Sequence, residues 1–277
     1  MSDEVPARGG ARRAITGYSN PTVKFARSLR EKKHRKREGR FLAEGLRLLT
    51  DARESGYLPE LLLMAEGREP HDLLTLLEGD VLAAGGDVVT LPVDVLAKIT
   101  GKENPQSVAG VYAEIGRSLG DPDRAAAPLF LVAQALRDPG NLGTMLRTAD
   151  AVGAGGLILI DDCADPFSVE AVRASMGAVF TVPLVQTAWV PFIAWLRSGP
   201  GQLVAASLRE PHDYRAAPYA APCFLLVGNE SRGLPESYEA ACDLRVKIPM
   251  HGRADSLNAA VAAAVLAYEA LAHLQPG

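Results

Sequence analysis

Three polar loops, each directly after an apolar segment, hold the side chains best able to do chemistry. The first runs Asp138-Pro139-Gly140-Asn141, and Arg147 lies six positions after Asn141. An Asn at a helix start can satisfy a free backbone N–H, and a guanidinium offers fixed donors to a phosphate or a developing oxyanion. The second, Gly228-Asn229-Glu230-Ser231-Arg232-Gly233, brackets a carboxylate with two glycines, which permits close backbone approach to a ligand. The third runs from Ile248 through Pro249, Met250 and Gly252 to Ser256, Leu257 and Asn258, then enters an alanine-rich stretch. Pro249 cannot extend a sheet ladder, and Ser256 stands where a helix N-cap belongs. Each loop alone also reads as plain structure, with Asn141 and Ser256 as caps, Arg147 paired to Asp150 and Glu230 solvated.

Other chemistries lack their residues. The candidate phosphate loop at Gly101-Lys102 has Leu96 where the first glycine belongs. Gly153-Ala154-Gly155-Gly156 precedes an apolar segment, and Ile158 fills its last glycine position, so it is no dinucleotide fingerprint. Five scattered histidines supply no HxxxH pair, and three cysteines in an odd count indicate neither a metal site nor a disulfide framework. No metal is expected.

Positioning these loops requires short strands that end beside one another. Leu129–Ala133, Leu157–Ile160, Val182–Val185, Leu203–Ala206, Phe224–Val227 and Leu244–Ile248 are apolar and alternate with helical or irregular stretches. That pattern predicts an α/β domain over 129–277 with a parallel sheet covered on both faces, whose ligands meet the carboxyl ends of the strands. Upstream, strands at Phe41–Ala43, Glu60–Met64, Val88–Leu91 and Val108–Glu114 alternate with helices, predicting a smaller α/β/α unit over 21–115. Its first helix is expected to start at Pro21, run through Glu31–Arg37 and stop at Gly39. Residues 116–128 read as a turn-rich linker, and residues 1–20 as a mobile basic arm.

The 277 residues are 48% hydrophobic and 22% charged, ordinary values for a soluble globular protein. No apolar run reaches the ~18–20 residues that span a bilayer. The opening stretch lacks the apolar core of a signal peptide, so a cytoplasmic location without membrane partners is expected. Charge is uneven. Residues 1–50 carry thirteen Lys/Arg against five Asp/Glu, a net of +8, while the whole chain is −4 and the remainder therefore −12. A basic front on an acidic body suits contact with a polyanion, and Lys32, Lys33, Arg35, Lys36 and Arg37 are the candidate phosphate contacts. A solvated helix end is the plainer alternative for that cluster.

Taken together, Asn141/Arg147/Ala149, Gly228-x-Glu230-x-x-Gly233 and Ile248-Pro249-Met250-x-Gly252-x-x-x-Ser256-Leu257-Asn258 resemble the three motifs of the SpoU/TrmH family of RNA ribose 2′-O-methyltransferases, within the SPOUT superfamily. The resemblance covers about 129–274. Phe41-Leu42-Ala43-Glu44-Gly45 and the basic stretch before it look like the substrate-binding domain of that family, of the L30e/L7Ae type.

The resemblance implies a deep trefoil knot, a homodimer, and S-adenosyl-L-methionine held by Gly228, Asn229, Ile248, Met250 and Leu257, with Ser207 and Leu208 as a further wall. It implies catalytic roles for Arg147, Asn141, Glu230, Ser256 and Asn258. The expected reaction is methylation of a ribose 2′-hydroxyl in 23S rRNA. Alternatives are a tRNA 2′-O-methyltransferase, or a non-catalytic RNA-binding assembly factor, against which the intact motif residues argue. A housekeeping and an antibiotic-resistance role are equally compatible with these residues.

Overall fold

The computed structural model describes residues 10–209 and 211–275, and the chain divides into two compact units. The first comprises Met1–Glu114 and Phe167–Arg173; the second comprises Ile115–Pro166 and Ala174–Gly277. No helix among the described residues is long and apolar enough to cross a membrane.

The first unit contains β1 (Arg12–Ala14), α1 (Pro21–Ser28), α2 (Lys32–Glu38), β2 (Arg40–Glu44), α3 (Leu46–Glu54), β3 (Leu61–Ala65), α4 (Asp72–Ala83), β4 (Asp87–Leu91), α5 (Val93–Thr100) and β5 (Val108–Ala113). Its sheet runs β1-β4-β3-β5-β2, with β5 antiparallel to both neighbours. Side chains alternate along β3: Leu61, Leu63 and Ala65 join Val23 and Ala26 of α1, its C-cap Leu29, and Val95, Leu96 and Ile99 of α5 in one core. Phe167 is buried in this unit and its ring lies 5.0 Å from that of Phe41.

Two expectations for this unit change. Residues 12–14 of the expected arm form an edge strand, with Arg12, Arg13 and Ala14 in parallel register with Val88, Val89 and Thr90; residues 1–9 lie outside the described set. The predicted single basic helix is two helices. Arg35 causes this: it is 3% exposed, and its Nη1 donates to the carbonyls of Leu29 and Arg30 at 2.7 Å each. Those are carbonyls that the end of α1 leaves unsatisfied, so the guanidinium closes one helix from within the next. Arg35 is therefore a buried structural group and not a surface phosphate contact. Gly39, at φ 61°, ends α2 as expected.

The second unit contains β6 (Leu129–Gln134), α6 (Pro139–Ala151), β7 (Leu157–Ile160), α7 (Val169–Ser175, mostly counted with the first unit), α8 (Ala178–Thr181), β8 (Leu184–Thr187), α9 (Trp189–Arg197), β9 (Gln202–Ala206), β10 (His212–Asp213), β11 (Cys223–Val227), α10 (Glu236–Ala240), β12 (Leu244–Lys247) and α11 (Ala259–Leu274). The sheet order is β10-β12-β9-β11-β6-β7-β8 and every pairing is parallel. Strands β6, β7 and β11 are buried along their whole length, as a sheet covered on both faces requires. Helix α11 packs on α6, β11 and β6, and alanines at its buried positions let it approach closely. The segment expected as a linker lies against this unit. Arg117 N donates to Leu184 O at 2.8 Å, and the Arg124 guanidinium sits 3.9 Å from the Trp195 ring centroid.

At the centre of this core the Phe130 and Phe224 rings stack 4.8 Å apart, and Phe130 is fully buried. Phe130→Ala should cost about 3–5 kcal/mol of stability through lost burial and a residual cavity. Urea denaturation measures this, and a loss under about 1 kcal/mol would contradict the packing described.

Candidate active site

Four neighbouring strands, β12, β9, β11 and β6, deliver their loops to the same edge of the parallel sheet. Strand β6 is followed on one side by β7 and β8, whereas β9 and β11 lie on the other side. The sheet therefore has its switch point beside β6, where carboxyl-end loops diverge and leave a crevice. A cavity of about 470 Å³ opens among the loops that follow β9, β11 and β12, within the range of small-molecule sites. Its wall includes every residue expected to hold a cofactor: Ser207, Leu208, Gly228, Asn229, Ile248, Met250 and Leu257. Glu230 and Ser256 also line it, whereas Asn141, Arg147 and Asn258 do not. Leu208 is 72% exposed and Leu257 38% exposed, so two apolar side chains stand open to solvent at its mouth.

Two asparagines join the three loops. Asn258 is the N-cap of α11: its Oδ1 accepts from Ala260 N at 2.9 Å and Val261 N at 3.2 Å. Its Nδ2 donates to Asn141 Oδ1 at 2.9 Å, and Asn141 Nδ2 donates to Glu230 Oε1 at 3.1 Å. Each amide thus uses its oxygen and its nitrogen on different partners, which fixes both orientations. The expected caps are accordingly reassigned. Asp138 caps α6, its Oδ1 accepting from Asn141 N at 2.6 Å, because Pro139 at the first helical position sets the start one turn earlier. Asn141 lies inside the helix with its side chain free to bridge. Ser256 is exposed and lies two residues before the cap that Asn258 provides.

The Glu230 loop is shaped by its own backbone. A Cβ on Gly228 would lie 2.6 Å from the Gly233 carbonyl carbon and 2.7 Å from Leu234 N, so only glycine fits. Gly233, at φ 66°, donates its N–H to Asn229 O at 2.9 Å and closes the turn. Asn229 Nδ2 donates to Ala135 O at 2.8 Å, while its Oδ1 accepts from Ser231 N and Arg232 N. Burial pushes the Glu230 carboxyl upward, but hydrogen bonds from its own N–H, the Asn141 side chain and the Arg137 and Asp138 N–H groups outweigh it. The net effect holds it below the usual carboxylate range, so it is an anion that other groups donate to.

One feature of the wall carries no signal in sequence. Glu239 is 6% exposed, accepts from Ser207 Oγ at 2.7 Å and faces Arg209 Nε at 3.3 Å as an ion pair. Ser207 Oγ also accepts from Arg209 N at 3.0 Å. Glu239 sits in the helical stretch Glu236–Ala240, where a carboxylate reads as solvated, and only the fold turns it inward. Among the described residues none forms a hydrogen bond or ion pair with the Arg147 guanidinium, which is exposed on α6. Asp150, its sequence-based alternative partner, accepts instead from Thr181 Oγ1 at 2.7 Å.

Residues 128–268 match the model of the SpoU rRNA Methylase family. The chain belongs to that family. Residues 20–110 of this SpoU-family chain match an MRM3-like substrate binding domain. It is 34% identical over 255 residues to the 23S rRNA (guanosine(2553)-2′-O)-methyltransferase RlmP of Bacillus subtilis, covering 92% of this chain and 97% of that protein. It is 32% identical over 280 residues to the 23S rRNA (uridine(2479)-2′-O)-methyltransferase of Streptomyces viridochromogenes, covering 95% and 93% of the two chains. A crystal structure of an AdoMet-bound rRNA methyltransferase from Sinorhizobium meliloti superposes with a TM-score of 0.89 at 38% identity, over 95% of this chain and 99% of that one.

Replacing Asn258 by Ala removes a helix cap and should cost about 1 kcal/mol or more in urea denaturation. An unchanged stability would contradict the cap. Because the folded Glu230 pKa is depressed, its contribution to stability is present above its unfolded pKa and lost as pH falls through the folded one. In Asn141→Ala the Glu230 carboxyl should titrate closer to its ordinary value, as measured by carbon-13 NMR; an unmoved titration would show that the bridge does not hold it.

Proposed function

We propose that this chain transfers a methyl group from S-adenosyl-L-methionine to a ribose 2′-hydroxyl of 23S rRNA. The observation that carries the reading is the Asn258–Asn141–Glu230 bridge, which ties the first motif loop to the two motif loops that line the cavity. The cavity suits this cofactor: residues of the Gly228 and Ile248 loops line it, Leu257 and Leu208 offer apolar walls, and Glu239 supplies a buried carboxylate that is ion-paired with Arg209. When bound, the cofactor supplies an electrophilic methyl group. Gly228, Asn229, Ile248, Met250 and Leu257 would hold it, with Ser207 and Leu208 closing the side.

The rest of the chemistry belongs to the chain's own groups. Loss of the 2′-hydroxyl proton to the adjoining RNA phosphate develops negative charge on the ribose oxygen as it bonds to the methyl carbon and the thioether leaves, and Arg147 is the exposed cation on the helix that starts beside Glu230. A guanidinium is a poor base but a lasting positive charge, so Arg147 stabilises the nascent alkoxide and the adjoining phosphate. Glu230 acts through Asn141: its anion fixes the amide that sets the start of the Arg147 helix against α11. Ser256, exposed at the rim, and Asn258 orient the ribose.

The proposal extends to finer parts. Residues 21–115 bind the RNA substrate and 129–277 carry the reaction. In the basic stretch Lys33 and Lys36 are the exposed phosphate contacts, Lys32 adds to them, and Arg37 is offset by its pair with Glu38 at 2.7 Å. Val261 and Tyr268, 47% and 57% exposed, stand seven residues apart on one face of α11 and suit a second copy of the chain. After β12 the chain returns across β9 and β11 to seat α11 against β6 and α6, a path that accommodates the knot. The enzyme works in the cytoplasm.

Arg147→Ala should lower methylation of 23S rRNA, assayed with a tritiated methyl donor, by roughly 100–1,000-fold. Calorimetric binding of S-adenosyl-L-methionine should be unchanged. Full retained activity would sink the role of Arg147, and absence of cofactor binding by the wild type would sink the function.

A further inference from the structure

Beside α1 the first unit has a second hollow, of about 540 Å³. Lys24, Arg27 and Arg30 stand along its rim at three-residue intervals, and all three are exposed. Among the described residues none forms a hydrogen bond or ion pair with these three side chains, in a unit where Arg13, Arg40 and Arg53 all pair with carboxylates. An unpaired row of cations is free to meet an outside anion without first breaking an internal bond.

The floor is built for such an anion in two further ways. Gly101, at φ 74°, ends α5, and a Cβ there would lie 2.3 Å from Cζ of Arg30. The missing side chain is what lets the guanidinium lie over the end of that helix. Thr100 also lines the hollow; it is 4% exposed and its Oγ1 has no hydrogen-bond partner. A buried hydroxyl left unmatched is costly unless something outside the chain completes it. Two carboxylates, Glu31 and Glu170, share the rim and offset part of the charge. Glu31 faces His34 at 3.7 Å, and three cations outnumber the two anions. A hollow with a net positive rim and hydroxyl donors favours a ligand whose charge is spread over several oxygens.

We infer that this hollow is a binding site for the phosphate backbone of RNA, with Arg27 and Arg30 as forked donors and Lys24 as a point charge. It rests on the RNA substrate proposed above, and adds to Lys33 and Lys36 a site that the basic run of the sequence does not mark.

The test uses the full chain and in vitro transcribed 23S rRNA in filter binding across a salt series. Lys24→Gln/Arg27→Gln/Arg30→Gln should weaken binding and reduce the slope of log affinity against log salt by at least about 0.7, the value of one lost phosphate contact. Arg47→Gln removes an exposed cation elsewhere in the unit and should leave the slope unchanged. Calorimetric binding of S-adenosyl-L-methionine should match the wild type for both variants. If the triple variant lost it through misfolding, Arg27→Gln alone should still lower the slope. A wild-type slope in the triple variant, or an equal loss per charge in Arg47→Gln, would overturn the site while leaving the function intact. A wild type that neither binds nor methylates the RNA would overturn both.

Discussion

The site depends on a hydrogen-bonded line of two amides and a carboxylate. Asn141 lies between Glu230 and Asn258, accepting from one and donating to the other, and these residues come from loops 89 and 117 positions away in sequence. No strand pairing holds these loops together at their tips. The parallel sheet brings their starting points to one edge, and the amide bridge settles where they end. Because Asn258 also caps α11, the same contact ties the longest helix of the second unit to the chemistry. Loss of one amide therefore touches helix stability, the charge of Glu230 and the seat of α6 at once.

In the first unit a comparable division of labour separates its cations. Arg35 is spent internally, closing α1 from within α2, and Arg37 lies against Glu38. Lys24, Arg27 and Arg30 face outward with no partner among the described residues. A run of like residues in sequence thus becomes two populations in space, one holding helices together and one open to a polyanion. Desolvation explains the sorting: a buried guanidinium is tolerated only where carbonyls or carboxylates receive its donors.

Much of this was legible in the sequence because its signals were local. Short apolar strands followed by polar loops reported the parallel sheet, and the glycines bracketing Glu230 reported a close backbone approach, which at Gly228 is to the chain's own Gly233 and Leu234. Signals that depend on distant partners were not legible. Ser256 and Asn141 both looked like caps, yet Pro139 moved one helix start to Asp138 and the stretch before α11 ran on to Asn258. Arg35 looked exposed among its basic neighbours because nothing local marks the carbonyls it reaches. Glu239 entered the cavity wall only through the packing of α10, where it meets Ser207 and Arg209 of the loop after β9. The edge strand at Arg12–Ala14 was missed since its pairing partner lies 76 residues away.

The central claim is that this chain methylates a ribose of the large-subunit rRNA. Quantitative mapping of 2′-O-methyl groups across rRNA and tRNA, in cells with and without an intact gene for it, tests that claim most directly. One 23S rRNA position should lose its methyl group in the absence of the protein and regain it on complementation. An unchanged 23S rRNA map, with the methyl group lost from a tRNA instead, would contradict the account.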